Sequence, residues 1–401
     1  MLPSKIAFGV GRRAEAGKLI RQIANRAIVI AGSRKLANNG MLAEIVKSLE
    51  SSGINVLASE TISQEPTTNN VDNLVLRLRN EYSLTKNFDD LVVIAIGGGS
   101  AIDLAKSVAA MLPQQNTDSL SIKNYLEGVG TGSILTAKPL SIVAIPTTAG
   151  TGAEATKNAV IASSKSDIDT GFKPFKKSLR DDGLLPRIAI IDPELALSCP
   201  KRITTESGMD TVAQLFESYV SKRRQPFTDA LIEQGLSQAF EALPKLVDNP
   251  NDIELRSRMA HASLLSGISL ANAGLGMVHG IAPALGAYCG VSHGGACALL
   301  LPLVLRVNAD ICEERYGHLG RLLLGIDQNV SNESATNKLI DHVENLCNQL
   351  GTPRKLSDLN IDKNMIPIIA QNSKGSSMSG NPKNLSEQEV AEILYRSRYG
   401  R

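Results

Sequence analysis

Residues 91–112 read LVVIAIGGGSAIDLAKSVAAML. A short apolar run rich in Val and Ile enters three glycines, after which the pattern takes a helical period. This is strand, tight turn, helix. Four further runs repeat the first part of that sign: RAIVIAG (26–32), INVLAS (54–59), LSIVAIPTTAG (140–150) and RIAIIDP (187–193). Each ends in Gly, Pro, Ser or Asp, the residues that punctuate strands. Helical periods fill the gaps at 38–52, 71–84 and 100–113. Buried strands alternating with helices predict a parallel sheet covered on both faces.

After Asp192–Pro193 the strand signal stops. Helical periods run at 206–222, 228–247, 253–273, 276–288, 293–307, 310–324, 334–350 and 386–397. A chain of 401 residues exceeds what one small core organises, so two domains are expected. We place an α/β domain at 1–194 and an all-helical domain at 195–401. No internal repeat is visible, and GVGTGSILTAK (128–138) reads as a loop.

The bulk numbers exclude several classes. A net charge of +2 gives no electrostatic footprint for a nucleic-acid partner, and 3% aromatic residues with no Trp leave no base-stacking platform. The basic FKPFKKSLR (172–180) is short and reads as a solvated loop. The N-terminal MLPSKIAFGVGRRAEAG lacks the apolar run of a signal peptide. ACALLLPLVL (296–305) is too short to span a bilayer and contains Pro302, so no membrane partner is expected. Five cysteines, an odd number without CxxC spacing, read as reduced thiols of a cytoplasmic protein.

Two loops carry phosphate-binding chemistry. In GGGS (97–100) the glycines let backbone N–H groups approach an anion at the start of a helix, whose positive dipole end points the same way. The glycine spacing is not GxGxxG. IPTTAGTGAE (145–154) also follows a strand and offers Thr147, Thr148 and Thr151 among glycines. Two such loops at carboxyl ends of parallel strands form a ligand crevice of the dinucleotide kind.

HGIAPALGAYCGVSH (279–293) holds two of the five histidines, His279 and His293. In one unbroken helix they would stand about 21 Å apart, too far to share an ion. Gly286, Gly290 and the glycines after His293 can end one helix and start another, which lets the two converge. In ESGMDTVAQLFESYVS (206–221), Asp210 and Gln214 lie four apart on one helix face. Asp210 with two imidazoles makes an O,N,N set suited to a catalytic divalent metal.

The chain resembles the iron-containing (group III) alcohol dehydrogenases over nearly its whole length. The resemblance rests on PSKIAFGVG (3–11), GGGSAIDLAK (97–106), IPTTAGTGAEAT (145–156), LLPRIAIIDPEL (184–195), GMDTVAQLFESYVS (208–221), MVHGIAPALGAYCGVSHGGACALLLP (277–302) and SGNPKNLSEQEVAEIL (379–394). It implies a dehydroquinate synthase-like fold, with a Rossmann-like N-terminal domain and a helical metal- and substrate-binding domain. Between them it implies a cleft for nicotinamide and metal, usually in a homodimer. It implies a metal, Fe2+ or Zn2+, on Asp210, His279 and His293, which would also be the catalytic trio. Gly98, Gly99, Ser100 and Asp103 fall at the pyrophosphate turn. Thr147, Thr148, Thr151 and Thr156 fall on the second cofactor loop, and Lys176 at a cofactor-contacting lysine.

Three positions depart from the family pattern. Gln214 stands where a second ligand histidine is usual, and we count it with Asp210, His279 and His293 in the expected metal set, although it offers only a neutral carbonyl oxygen. Pro283 stands where many relatives carry a proton-relaying histidine. In AGSRK (31–35), Gly32 replaces an aspartate that repels a 2′-phosphate, while Ser33 and Arg34 suit binding one, so NADP(H) is favoured over NAD(H). The expected activity is hydride transfer between NADP or NAD and a small alcohol or aldehyde. The alternatives are a metal-independent reductase of the maleylacetate reductase kind and a non-catalytic cofactor-binding relative.

Overall fold

The computed structural model describes residues 1–398 except 33–35, 37, 39, 83, 85–87 and 116–120. Two compact units divide it, 1–148 with 152–199 and 149–151 with 200–401, against the boundary after residue 194 expected from sequence.

The strands of the first unit are β1 (Lys5–Phe8), β2 (Arg26–Ala31), β3 (Asn55–Thr61), β4 (Leu91–Gly97), β5 (Ser141–Pro146), β6 (Asn158–Ala162), β7 (Lys176–Arg180) and β8 (Ile188–Ile191). Six of them form the expected parallel sheet in the order β1-β8-β5-β4-β2-β3. Its helices are α1 (Ala16–Ile20), α2 (Met41–Ser51), α3 (Thr68–Glu81), α4 (Gly99–Met111) and α5 (Lys165–Asp169). Side chains alternate along each strand, so Ile28, Ile30, Val93 and Ala95 pack toward α3 and α4. Val29, Ile94, Ile96 and Val143 pack toward α1 and α2. Both faces are apolar because both are covered.

Three strands lie outside the sequence reading, β1, β6 and β7. β1 is an additional edge strand paired with β8; Lys5 and Ile6 are exposed, so it lacks the apolar run that marks its neighbours. The stretch 172–180 is not a plain loop: Lys176–Arg180 is β7, antiparallel to β6.

The second unit is helical: α6 (Lys201–Val220), α7 (Pro226–Asp248), α8 (Ile253–Ala273), α9 (Met277–Cys289), α10 (His293–Leu324), α11 (Asn332–Gln349), α12 (Ile366–Gln371) and α13 (Glu387–Arg398). Residues 293–307 and 310–324, expected as two helices, form the single helix α10, which continues through Pro302. By length and composition α10 could therefore cross a membrane, which corrects the argument from segment length. Yet 61% of its most apolar window is buried inside the protein, as in a core helix. Helix α6 packs closely on α7 because Gly208 has no side chain: a Cβ there would sit 2.3 Å from Leu243 Cδ1.

Candidate active site

In the first unit the chain passes from β2 to β3 on one side and then to β4 on the other. The carboxyl ends of β2 and β4 therefore flank a topological switch point, where open α/β sheets bind ligands. Gly32 and Gly97 meet there almost backbone to backbone. A Cβ on Gly97 would lie 2.8 Å from Gly32 Cα, and one on Gly32 would lie 2.9 Å from Gly97 Cα. The same contact excludes an aspartate at position 32. Ser33 and Arg34, the expected phosphate partners, lie outside the described residues.

Gly98 caps α4, and a Cβ on it would be 3.1 Å from Thr148 Oγ1. Thr147 N donates to Gly97 O at 3.1 Å, which ties the second loop to the first. Gly99 and Ser100 open α4 and Asp103 follows in its next turn; all three are partly exposed.

The structure does not gather every expected cofactor residue in this place. Thr156 is buried: its Oγ1 and carbonyl accept from Lys106 Nζ, which also donates to the carbonyls of Ala153 and Asn158. Burial pulls the Lys106 ammonium down to about 8 and pushes the Glu154 carboxyl up to about 7. This cluster fixes the shape of the second loop from inside. Lys176, the first residue of β7, is paired with Glu65. Thr151 belongs to the second unit, where its carbonyl accepts from Gln214 Nε2 at 3.3 Å, and Thr211 Oγ1 donates to Gly150 O at 3.1 Å.

The second unit brings Asp210, His279 and His293 together. Gly290, in the left-handed region at φ +67, ends α9, and α10 begins at His293. The reversal places the two imidazole centroids 5.3 Å apart. Asp210 Oδ1 lies 3.0 Å from His279 Nε2 and 3.6 Å from His293 Nε2. Asp210 and His279 are buried, whereas the His293 side chain is 32% exposed and is the one that solvent reaches. Burial alone would raise the Asp210 carboxyl. The charge of His293 and hydrogen bonds with both imidazoles outweigh it and hold the group well below the usual carboxylate range. Burial lowers His293, but the electrostatics of Cys297 and Asp210 carry it up to about 10. His279 is likewise raised against its burial.

Two residues complete this cluster that the sequence reading did not single out. Glu217, seven residues after Asp210 on α6, accepts from His279 Nδ1 at 2.7 Å and from the backbone N–H of Val278 at 2.5 Å. With Nδ1–H committed to Glu217, Nε2 is the atom that faces Asp210, as in carboxylate–histidine–metal arrangements. Cys297, one turn after His293, is fully buried, and its Sγ lies 3.8 Å from both Nε2 atoms. The signals were helical spacing, i+7 from Asp210 and i+4 from His293.

Gln214, expected among the ligands, is engaged elsewhere. Its Oε1 accepts from Ser266 Oγ at 2.8 Å and its Nε2 donates to Thr151 O. The donor atoms of Asp210, His279, His293 and Cys297 all lie within 4.8 Å of one another. That donor set fits a divalent first-row metal ion.

Comparison with known proteins follows the same division. The family model described as iron-containing alcohol dehydrogenase matches residues 3–193, and that of the Fe-containing alcohol dehydrogenase family, C-terminal, matches residues 204–398. The chain is 30% identical to the NAD-dependent methanol dehydrogenase of Bacillus methanolicus, over 98% of each chain. It is also 30% identical to the NADPH-dependent butanol dehydrogenase of Clostridium saccharobutylicum, over 100% of this chain and 97% of that one. A solved 1,3-propanediol oxidoreductase superposes with a TM-score of 0.87 at 28% identity, covering 99% of this chain and 98% of that one. The chain belongs to the iron-containing alcohol dehydrogenase family, and it is an NAD(P)-dependent alcohol dehydrogenase.

Proposed function

We propose that the chain is a metal-dependent alcohol dehydrogenase and aldehyde reductase that moves hydride between NADP(H) and a small alcohol or aldehyde. The observation that carries this reading is the convergence of Asp210 Oδ1, His279 Nε2 and His293 Nε2 at a buried point, with Glu217 behind His279. A divalent ion held there, Fe2+ or Zn2+, supplies Lewis acidity toward the substrate oxygen. The residues prepare that chemistry. Asp210 supplies a full negative charge that burial leaves unscreened, and Glu217 orients His279 so that the ring need not reorganise. His293, the exposed member, stands on the side from which a substrate oxygen enters.

The cofactor carries the hydride, and the first unit binds it. Gly32, Gly98, Gly99, Ser100, Asp103, Thr147 and Thr148 supply close backbone approach and hydroxyls, and Thr156 acts by anchoring Lys106 beneath the loop. NADP(H) is preferred because position 32 admits no carboxylate to repel a 2′-phosphate. Five cysteines, an odd number without CxxC spacing, suit a reducing compartment, and we place the enzyme in the cytoplasm.

Asp210→Ala and His279→Ala test the reading. Each is expected to abolish NADPH-dependent aldehyde reduction while NADPH binding, followed by the fluorescence of the bound nicotinamide, persists. Full turnover in either variant overturns it.

A further inference from the structure

We propose that Cys297 is the fourth protein ligand of the metal held by Asp210, His279 and His293, in the place Gln214 was expected to fill. This rests on the metal-dependent reading above and deepens it.

The geometry favours the thiol. With metal–nitrogen bonds of about 2.05 Å and a metal–sulfur bond of about 2.3 Å, a tetrahedral centre puts nitrogen and sulfur about 3.6 Å apart. Cys297 Sγ is 3.8 Å from His279 Nε2 and 3.8 Å from His293 Nε2. The same construction puts a carboxylate oxygen about 3.4 Å from an imidazole nitrogen. The two Asp210 distances, 3.0 and 3.6 Å, lie on either side of that value. Four of the separations among these donors, which come from three helices, are therefore close to tetrahedral edges, and all the donor atoms lie within 4.8 Å of one another.

The other buried cysteines behave differently. Cys347 Sγ donates to Ala298 O at 3.7 Å, and burial pushes the Cys312 and Cys347 thiols up to about 11. Those are inert core thiols. Cys297 faces two imidazole nitrogens instead. Gln214 could ligate only through Oε1, and that oxygen already accepts from the buried Ser266 hydroxyl. Moving it to a metal would break the bond from Ser266 Oγ and pull Nε2 away from the Thr151 carbonyl.

A thiolate among two imidazoles and a carboxylate is a soft, tetrahedral donor set, which selects zinc over ferrous iron. Zinc accepts a fifth ligand, so a substrate oxygen can still enter past the exposed His293.

The test uses the full chain loaded with zinc alone or cobalt alone. X-ray absorption at the zinc edge of the unaltered protein is expected to show one sulfur at about 2.3 Å beside nitrogen and oxygen neighbours. The cobalt form is expected to show an intense thiolate-to-metal charge-transfer band in the near ultraviolet. Cys297→Ser should lose the band and weaken zinc affinity by more than the roughly 10- to 100-fold typical of an outer-sphere change. Gln214→Ala should keep the band. A bound metal with no sulfur neighbour, or a band that survives in Cys297→Ser, overturns the proposal and leaves the metal-dependent reading standing. Failure of the unaltered chain to bind zinc or cobalt overturns the proposal, and failure to bind ferrous iron as well overturns the metal-dependent reading with it. Should Cys297→Ser not fold, the absorption spectrum of the unaltered protein still decides.

Discussion

Glu217→Gln is the perturbation that most sharply probes how the histidine is held. Glu217 now takes Val278 N–H on one oxygen and His279 Nδ1–H on the other. A glutamine has one oxygen to offer. If the oxygen stays on Val278 N–H, the amide nitrogen faces Nδ1 as a donor, the ring takes its proton on Nε2, and the metal-facing lone pair is lost. If the amide turns over, two N–H groups confront each other at the first turn of α9. Either arrangement costs the metal site rather than the fold as a whole. Outer-sphere partners of this kind are worth about 10- to 100-fold in metal affinity, about 1.4–2.7 kcal/mol. The assay is competition for zinc against a chromophoric chelator, beside thermal unfolding of the metal-stripped chain. The expected result is an affinity loss of that size with little change in the melting of the stripped protein. Affinity equal to that of the unaltered chain would show that Glu217 does not select the tautomer, and the orientation argument would fail.

Other outcomes follow from the same structure. Gly97→Ala puts a Cβ 2.8 Å from Gly32 Cα, backbone against backbone. It should destabilise the chain by about 1–3 kcal/mol, the usual range for overpacking, and weaken NADPH binding. Urea denaturation and a NADPH titration check this, and an unchanged midpoint would remove the close approach. Glu154, pushed by burial from about 4.5 to about 7, keeps a proton in the folded chain that the unfolded chain gives up. Its contribution is therefore fully present below about pH 4.5 and lost as pH rises through 7, amounting to about 3 kcal/mol. Glu154→Gln should flatten that slope in unfolding experiments across pH 4.5–7.5, and an identical slope in the variant would assign it to other groups.

The parts of the fold legible in the sequence are those where burial is two-sided and local. β2, β4, β5 and β8 are unbroken apolar runs because helices cover both faces of the sheet, and their glycine- and threonine-bearing ends announce themselves. β1 was not read because half of it faces solvent, and β7 because its lysines and arginine look like loop residues until β6 pairs with them. Pro302 reads as a helix break, yet α10 passes through it, held by packing along its length. The convergence of His279 and His293 was legible because Gly290 marks the reversal between their helices. The contacts of Gln214 are illegible for a long-range reason. Its partner Ser266 is 52 residues away, and nothing in the local pattern shows that its oxygen is already taken. Glu217 and Cys297 were passed over because a glutamate and a cysteine at helical spacing look ordinary until a histidine is placed beside each.

On the proposed function, hydride transfer requires a metal bound by Asp210, His279 and His293. Elemental analysis of protein purified without added metal, paired with NADPH and NADH oxidation against a panel of small aldehydes before and after chelation, tests it most directly. Near-stoichiometric zinc or iron is expected, with faster turnover with NADPH than with NADH, and activity that disappears with the metal and returns on its readdition. A metal-free protein that oxidises NADPH at an undiminished rate would contradict it.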